Sequence, residues 1–194
     1  MGDEITIDKQ AFHDRLSSFI SQWTDKRSGD TVFGGVGSIV VLVGKATDQG
    51  TYNKSAAFQL WLLGYEFPAT LMVMTPAGLT IVTTKKKAAY LEPLKGGKTP
   101  VEVLVRGKDP AENAKQFEKC LDIIKNAGKK VGVLPKDVQS GPFAEEWKRA
   151  YGDISKDVEE VDAAVTISTA ALSVKDEKEL VCSTTTMQQV GKVC

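Results

Sequence analysis

The feature that most constrains this sequence is a continuous apolar segment at residues 54–74. Its first part, KSAAFQLWLLGYEFP, is apolar on every side of a helix except at Gln59. Ser55 is a suitable N-cap, Gly64 is a suitable C-cap, and Pro68 prevents the helix from resuming. A helix that is apolar all round has to be covered on both sides, and the short apolar run after Pro68 predicts a buried strand. The segment therefore predicts a sheet with helices on both of its faces.

The rest of the chain continues this alternation of helix and strand. Strands are predicted at 38–43, 69–74, 79–83, 101–105, 130–134 and, at an edge, 158–161. Five helices are predicted: from the cap at Asp8 to Trp23, after Lys54, over 85–91, from the cap at Asp109 to Gly128, and from Gly141 to Gly152. The helix after Asp109 has Ala114 on its predicted buried stripe. Residues 24–37 are polar and glycine-rich and predict a loop. The turn Pro76–Gly78 joins its two strands as a hairpin, so the predicted fold is a three-layer α/β domain with a mixed sheet.

Composition excludes several classes of function. Lysine plus arginine and aspartate plus glutamate number 25 each, so no overall field draws the chain to nucleic acid or anionic membrane. No apolar run reaches the ~20 residues of a membrane span, and the N-terminus lacks the pattern of a secretion signal. The scattered cysteines Cys120, Cys182 and Cys194 indicate a reducing compartment. One histidine, His13, leaves no basis for a metal site, and we expect it to be a solvated side chain without a role.

Three glycine-containing stretches suggest a phosphate-binding loop, and each fails on spacing. In 33–38 the glycines precede a strand, and Val40 stands where the third glycine of a dinucleotide fingerprint belongs. The stretches at 44–46 and 97–99 lack the first glycine of a Walker motif. All three predict turns, and a nucleotide-binding function is excluded.

Two charged regions remain. Lys85–Lys87 could be an import signal or a contact for acidic groups, but a run of this kind is more often a solvated helical face. From Ser173 the composition becomes charged, which predicts a domain over residues 1–172 and the start of a linker helix over 173–194, as in a chain cut from something longer.

Motifs of the apolar segment resemble those of the N-terminal lobe of the creatinase, prolidase and aminopeptidase P superfamily. The run 61–65 matches the end of a helix signature of that superfamily, but Phe58 and Leu60 stand where it has asparagine and arginine. Lys175 and the pair 179–180 match the start of its interlobe helix. The resemblance implies a lobe with a ribonuclease H-like motif whose metal ligands lie in a second, "pita-bread" lobe that this chain lacks.

Nearly the whole chain more closely resembles the large-subunit family of the FACT histone chaperone complex. The resemblance rests on 5–9, 33–35, 54–68, 85–87 and 131–133. It implies a nuclear, chromatin-associated, non-catalytic module, without cofactor, that acts in nucleosome reorganisation during transcription, replication and repair. The implied partners are core histones, contacted weakly by this lobe alone, and an HMG-type small subunit contacted by other domains of the parent.

Histones are basic, so a contact site should be acidic or built from hydrogen bonds and aromatic pockets. Acidic residues cluster late in the chain, and the candidate partner-binding residues are Asp157, Glu159, Glu160 and Asp162. The alternative for these residues is that they only solvate an edge strand. The alternative for the whole chain is the N-terminal lobe of an active Xaa-Pro metallopeptidase, shaping its substrate pocket and dimer.

Overall fold

The fold places a mixed sheet between two layers of helices. The structure is a computed structural model that describes residues 5–45 and 53–173. The strands are β1 (Ser38–Val43), β2 (Thr70–Thr75), β3 (Gly78–Thr84), β4 (Val101–Arg106), β5 (Lys130–Val133) and β6 (Glu159–Asp162). The helices are α1 (Lys9–Thr24), α2 (Lys26–Thr31), α3 (Lys54–Leu63), α4 (Lys85–Leu91), α5 (Pro110–Ala127), α6 (Pro142–Gly152) and α7 (Ala164–Ile167), with a 3₁₀ turn at Glu92–Leu94 and a π-helical turn at Ser168–Leu172.

The six strands lie in the order β4-β3-β2-β1-β5-β6. Strand β2 is antiparallel to β1 and β3, whereas the pairs β3–β4, β1–β5 and β5–β6 are parallel. The predicted hairpin, the mixed sheet and the position of the last strand at an edge are confirmed. Strand β1 lies inside the sheet and is almost wholly buried, as its uninterrupted β-branched sequence predicts.

Each face of the sheet has its own apolar core. On one face, which we call the α3 face, side chains of α1, α3, α4 and the turn after α7 pack on residues such as Ile39, Met72 and Ile81. On the other, the α6 face, helices α5 and α6 pack on Val40, Val73 and other alternate strand residues. The alternation follows from the two-residue period of a strand, and it confirms the three-layer architecture.

Helix α3 departs from its prediction in three respects. Its N-cap is Asn53 and not Ser55. Ser55 is buried in the first turn, where its backbone N–H donates to Asp137 Oδ2 at 2.6 Å. The helix is not covered all round, because Leu60 is 47% exposed and Trp61 is only partly buried. Gln59, the one polar exception, is fully buried. Its side chain exchanges hydrogen bonds with the backbone of Phe67, which explains why a polar residue is stable there.

Other local predictions were wrong. Residues 24–37 contain helix α2, whose N-cap Asp25 accepts hydrogen bonds from two backbone N–H groups of the first turn. On α5 the predicted stripe residue Ala114 is exposed, and its neighbour Asn113 is buried in its place, with its side chain bonded to both backbone groups of Gly107. Helix α7 and the π-helical turn after it were not predicted.

Two predictions fall outside the described residues. The brief pairing expected near residues 51–53 lies mostly in 46–52, and the linker helix lies in 173–194, of which only residue 173 is described. Within the described ranges, no helix is long and apolar enough to cross a membrane.

Candidate functional site: the acidic edge strand and the cleft beside α6

The predicted partner-binding residues lie on and just before strand β6, at one edge of the sheet. Asp157, Glu159, Glu160 and Asp162 are all exposed. Within the described chain, β6 pairs only with β5, so its outer side is open. The backbone N–H of Glu159 donates to Lys129 O and that of Ala163 to Val133 O, so the backbone groups of Glu160 and Asp162 face outward.

The four carboxylates do not share one face. Glu160 and Asp162 pair with Val131 and Val133 and stand on the α6 face. Glu159 stands on the α3 face, where its carboxylate lies 3.8 Å from Lys130 Nζ. Asp162 Oδ1 accepts a hydrogen bond from the backbone N–H of Ala164, the first residue of α7. The structure therefore brings the four carboxylates together along one edge of the sheet, and one of them, that of Asp162, is already bonded to the backbone of α7.

A cleft of about 310 Å³ lies between the sheet and helix α6, and Glu160 lines it. We call it the α6 cleft. Its apolar surface is formed by Val40, Leu42 and Val133 of the sheet, its aromatic wall by Trp147 and Tyr151, and its polar border by Asp137, Gln139, Lys148 and Glu160. The two aromatic rings are stacked, with centroids 5.5 Å apart and planes at 30°.

The polar border combines groups that are already bonded with groups that are not. Lys148 Nζ donates to Gln139 O at 2.8 Å, which holds this cation against the loop after β5. The Tyr151 hydroxyl oxygen is buried and makes no hydrogen bond of ordinary geometry among the described residues, although the Glu160 carboxylate lies close to it. Burial raises the pKa of Tyr151 above its ordinary range, and the negative charge of Glu160 and a hydrogen bond of poor geometry from the phenol to its carboxylate are smaller causes, so the phenol stays protonated at neutral pH.

The cleft lies next to the boundary between β1 and β5, two neighbouring parallel strands whose following helices pack on opposite faces of the sheet. Helix α3 follows β1 and packs on one face, while α6 follows β5 and packs on the other. In α/β sheets, ligands bind in the crevice outside the carboxyl ends of two such strands.

Here Gln139 fills that crevice. Its Oε1 accepts from Gly44 N at 2.7 Å, and its Nε2 donates to Ser55 Oγ at 2.8 Å. Since Gln139 is itself buried, these bonds close the crevice and leave only the α6 cleft beside it.

Sequence reasoning missed this cleft because the spacing of Phe143, Trp147 and Tyr151 also fits a helix that simply packs on a core. Phe143 and Trp147 are indeed buried, whereas Tyr151 is only half-buried. The signal available in the sequence was the small, turn-rich segment 135–141 between a four-residue strand and an aromatic helix, which leaves the sheet partly uncovered.

The lysine triplet and the histidine considered in the sequence analysis are partly buried in the structure. Lys85 and Lys86 are exposed, but Lys87 is half-buried and donates to Pro68 O, and burial lowers its pKa. His13 is not a solvated side chain: its imidazole packs against Gly97, and its buried Nε2 has no partner among the described residues.

Phe58 is fully buried in the α3-face core, with its ring 5.5 Å from that of Phe19. The turn at 33–38 uses Gly34 and Gly35 at positive φ to enter β1 and resembles no phosphate loop. Gly37 follows, so close to the carbonyl of Ala127 that any Cβ would collide with it. No group of three or more potential metal ligands is found among residues 5–45 and 53–173.

The family model of the FACT complex subunit SPT16 N-terminal lobe domain matches residues 7–166. The FACT complex subunit spt16 of Emericella nidulans is 61% identical over 182 residues, which make up 93% of this chain and 18% of that protein. The chain thus spans about a fifth of the length of that relative.

Solved structures agree with the described fold. The N-terminal domain of FACT complex subunit SPT16 from Eremothecium gossypii aligns with a TM-score of 0.82 at 31% identity, over 91% of this chain and 40% of that one. The Xaa-Pro aminopeptidase P from Streptococcus thermophilus aligns with a TM-score of 0.51 at 12% identity, over 82% of this chain and 98% of that one. The latter likeness concerns the fold alone, and it confirms the expected resemblance to a peptidase lobe.

Proposed function

The chain belongs to the family of FACT complex subunit SPT16 N-terminal lobes, and from that premise we propose that it is a non-catalytic interaction module of a histone chaperone. The parent protein would act in the nucleus on chromatin, reorganising nucleosomes during transcription, replication and repair. Other parts of the parent would hold its complex partners, including an HMG-type small subunit. The segment 173–194 would begin the helix that links this lobe to a second one.

The observation that supports a histone contact is the open acidic edge of β6. A four-residue edge strand that carries Glu159, Glu160 and Asp162 offers outward backbone groups and carboxylates on both sides of the same edge. A basic, extended peptide segment complements it in both respects, because it can add backbone hydrogen bonds along the edge and place lysine or arginine beside the acids. Four residues give few such bonds, so the contact made by this lobe alone is weak.

Charge reversal at the edge tests this proposal. We expect Glu159→Lys combined with Glu160→Lys to abolish retention of core histones by the chain at low salt. The matched control is Glu102→Lys combined with Asp122→Lys, which makes the same change of net charge at exposed positions on the opposite edge strand and on α5. Wild-type binding should weaken steeply between low and physiological salt, since exposed charges are screened. Undiminished binding by the edge variant, or equal loss in the control, contradicts the proposal.

Peptidase activity is the second candidate, and the position of Phe58 argues against it. The residue at the place of the signature asparagine is 0% exposed and lies in the core, where it cannot meet a peptide. Leu60, at the place of the arginine, is exposed but has no polar group to offer. We therefore expect no cleavage of an Xaa-Pro peptide and no stoichiometric uptake of Zn²⁺ or Mn²⁺ in calorimetry. Either activity, in chain freed of contaminating peptidase, restores the peptidase-lobe alternative.

A further inference from the structure

The α6 cleft has the composition of a receptor for one cationic side chain. We propose that it binds the primary ammonium group of a lysine side chain, with the alkyl stem along Val40, Leu42 and Val133, and the ammonium between Tyr151 and Glu160. The proposal rests on the proposed histone contact for its biological source, but its chemistry is testable without any histone.

The charges at the border favour a cation. The carboxylates of Asp137 and Glu160 line the cleft, against one lysine, Lys148. Lys148 is held by its bond to Gln139 O, and the Asp137 carboxylate is held by the bond that it accepts from Ser55 N, so Glu160 supplies the charge at the opening. Asp157 and Asp162 lie within a few residues of Glu160 and extend the negative region along the edge. An anionic ligand would meet more acid than base at this opening.

The dimensions favour a single side chain over a large cofactor. A volume of about 310 Å³ is at the lower limit of the ~300–1,000 Å³ usual for small-molecule pockets. A lysine stem is a flexible apolar chain that gains from contact with hydrocarbon while its charged end stays near water. The three apolar strand residues provide that surface, and Glu160 stands on the exposed edge where the charged end would lie.

The acceptors favour a primary ammonium over a quaternary one. The Glu160 carboxylate accepts hydrogen bonds, and so does the oxygen of the neutral Tyr151 hydroxyl, which lies close to that carboxylate. An ammonium with N–H groups can satisfy both, whereas a trimethylated one satisfies neither. The stacked rings of Trp147 and Tyr151 form one aromatic wall, which adds a cation–π attraction but does not make the enclosed cage that methylated ammonium requires.

The test uses small probes on the 194-residue chain. n-Butylammonium, n-butyltrimethylammonium and the uncharged 1-pentanol are titrated while the backbone and the Trp147 indole N–H are followed by NMR. We expect saturable shifts centred on Trp147, Tyr151 and Glu160 with n-butylammonium. Dissociation constants for the other two probes should be at least about fivefold higher, which corresponds to about 1 kcal/mol.

Two variants on one strand supply the control. Glu160→Gln should weaken n-butylammonium binding about fivefold or more, whereas Glu159→Gln, on the other face of β6, should change it by less than about twofold. Tyr151→Phe keeps the ring and should weaken binding about two- to threefold through loss of the hydroxyl. Glu159 and Glu160 are exposed, so the fold of their variants is retained, and circular dichroism checks it.

Each outcome bears on the proposal. If 1-pentanol binds as tightly as n-butylammonium, the cleft is an apolar cavity only. If Glu159→Gln and Glu160→Gln weaken n-butylammonium binding equally, the effect is one of general surface charge. If no saturable shifts are seen, the cleft is not a binding site. Any of these three results overturns the proposal. Specific ammonium binding together with unchanged histone retention by the edge variant would contradict the proposed function alone, while the reverse pattern would contradict this inference alone.

Discussion

The two faces of the sheet are covered to different extents. On the α3 face, four helices and a π-helical turn pack on the strands. At its centre, five aromatic rings form a continuous cluster: Phe19, Trp23, Phe33, Phe58 and Trp61. On the α6 face only α5 and α6 cover the strands, and the α6 cleft remains beside them. The closed face supplies stability, and the incompletely covered face is the one on which we propose that a partner binds.

The largest expected effect comes from opening the closed face. Phe58→Ala removes a ring that contacts both Phe19 and Trp61, and we expect a loss of about 3–5 kcal/mol in the free energy of unfolding. Trp61→Ala, one turn along the same helix at a half-buried position, should cost only about 1–3 kcal/mol. Urea denaturation of both variants measures the difference. An equal loss would show that the exposed side of α3 carries as much packing as its buried side.

A smaller effect is expected at the junction between the faces. Gln139→Ala leaves Gly44 N and Ser55 Oγ without their buried partner, which should cost about 1–3 kcal/mol. The matched variant Val138→Ala alters the adjacent residue, which is 82% exposed, and should change stability by less than about 0.5 kcal/mol. Thermal unfolding of the pair distinguishes a specific cross-link from a loop that tolerates change. Equal effects would contradict the role of Gln139 in closing the crevice.

The sequence predicted the features of both faces that depend on local patterns, but not those that depend on contacts between elements. Strand periods and caps at Asp8 and Asp109 are local signals, so the layers, the hairpin and most boundaries could be predicted. The polar residues that fold inward could not. Gln59 and Asn113 are buried because their side chains bond backbone groups of Phe67 and Gly107, which lie in the loops beside the two helices. The helical period gives no sign of how such a loop folds back on its helix.

The candidate site was predictable to a similar extent. The acidic residues and their edge strand could be found from composition, because charge and β-pattern are local. Which face each acidic residue stands on depends on the register that pairs Val131 with Glu160, and the cleft depends on how α6 packs on the sheet. Neither is set by a local pattern in the sequence. The partial exposure of Trp61 was also unpredictable, since an apolar helix gives no sign of which side its neighbours leave open.

Alkaline pH should weaken the α6 face selectively. Burial raises the pKa of the Cys120 thiol from 9.0 to about 12, so its contribution is fully present below pH 9 and is lost as the pH rises towards 12. Between these limits the wild type should lose about 1.4 kcal/mol per pH unit from this group. Tyr151, with its raised pKa, adds a loss of the same sign above pH 10.

The measurement is the slope of unfolding free energy against pH from 8 to 11. Cys120→Ala should show a shallower slope than the wild type, whatever its own stability at pH 8, and Tyr151→Phe should do so only above pH 10. Phe58→Leu, on the closed face, should leave the slope unchanged. An identical slope in the wild type and Cys120→Ala would indicate that the thiol is not buried as described.

The smallest effect is expected where the α6 face is joined to the far edge of the sheet. Arg106 Nη2 of β4 donates to both carboxylate oxygens of Glu146 at 2.8 Å, and its guanidinium lies 5.0 Å from the centroid of the Phe143 ring. Arg106→Lys keeps the charge but loses the planar stacking and the paired donation, so we expect a cost of about 0.5–1 kcal/mol. Since Glu146 is 37% exposed at its side chain, salt should screen the ion pair, and the difference between arginine and lysine should narrow in 1 M NaCl. A difference that persists unchanged in high salt would assign it to packing on Phe143 and not to the ion pair, and the α6 face would then resemble the closed one in what stabilises it.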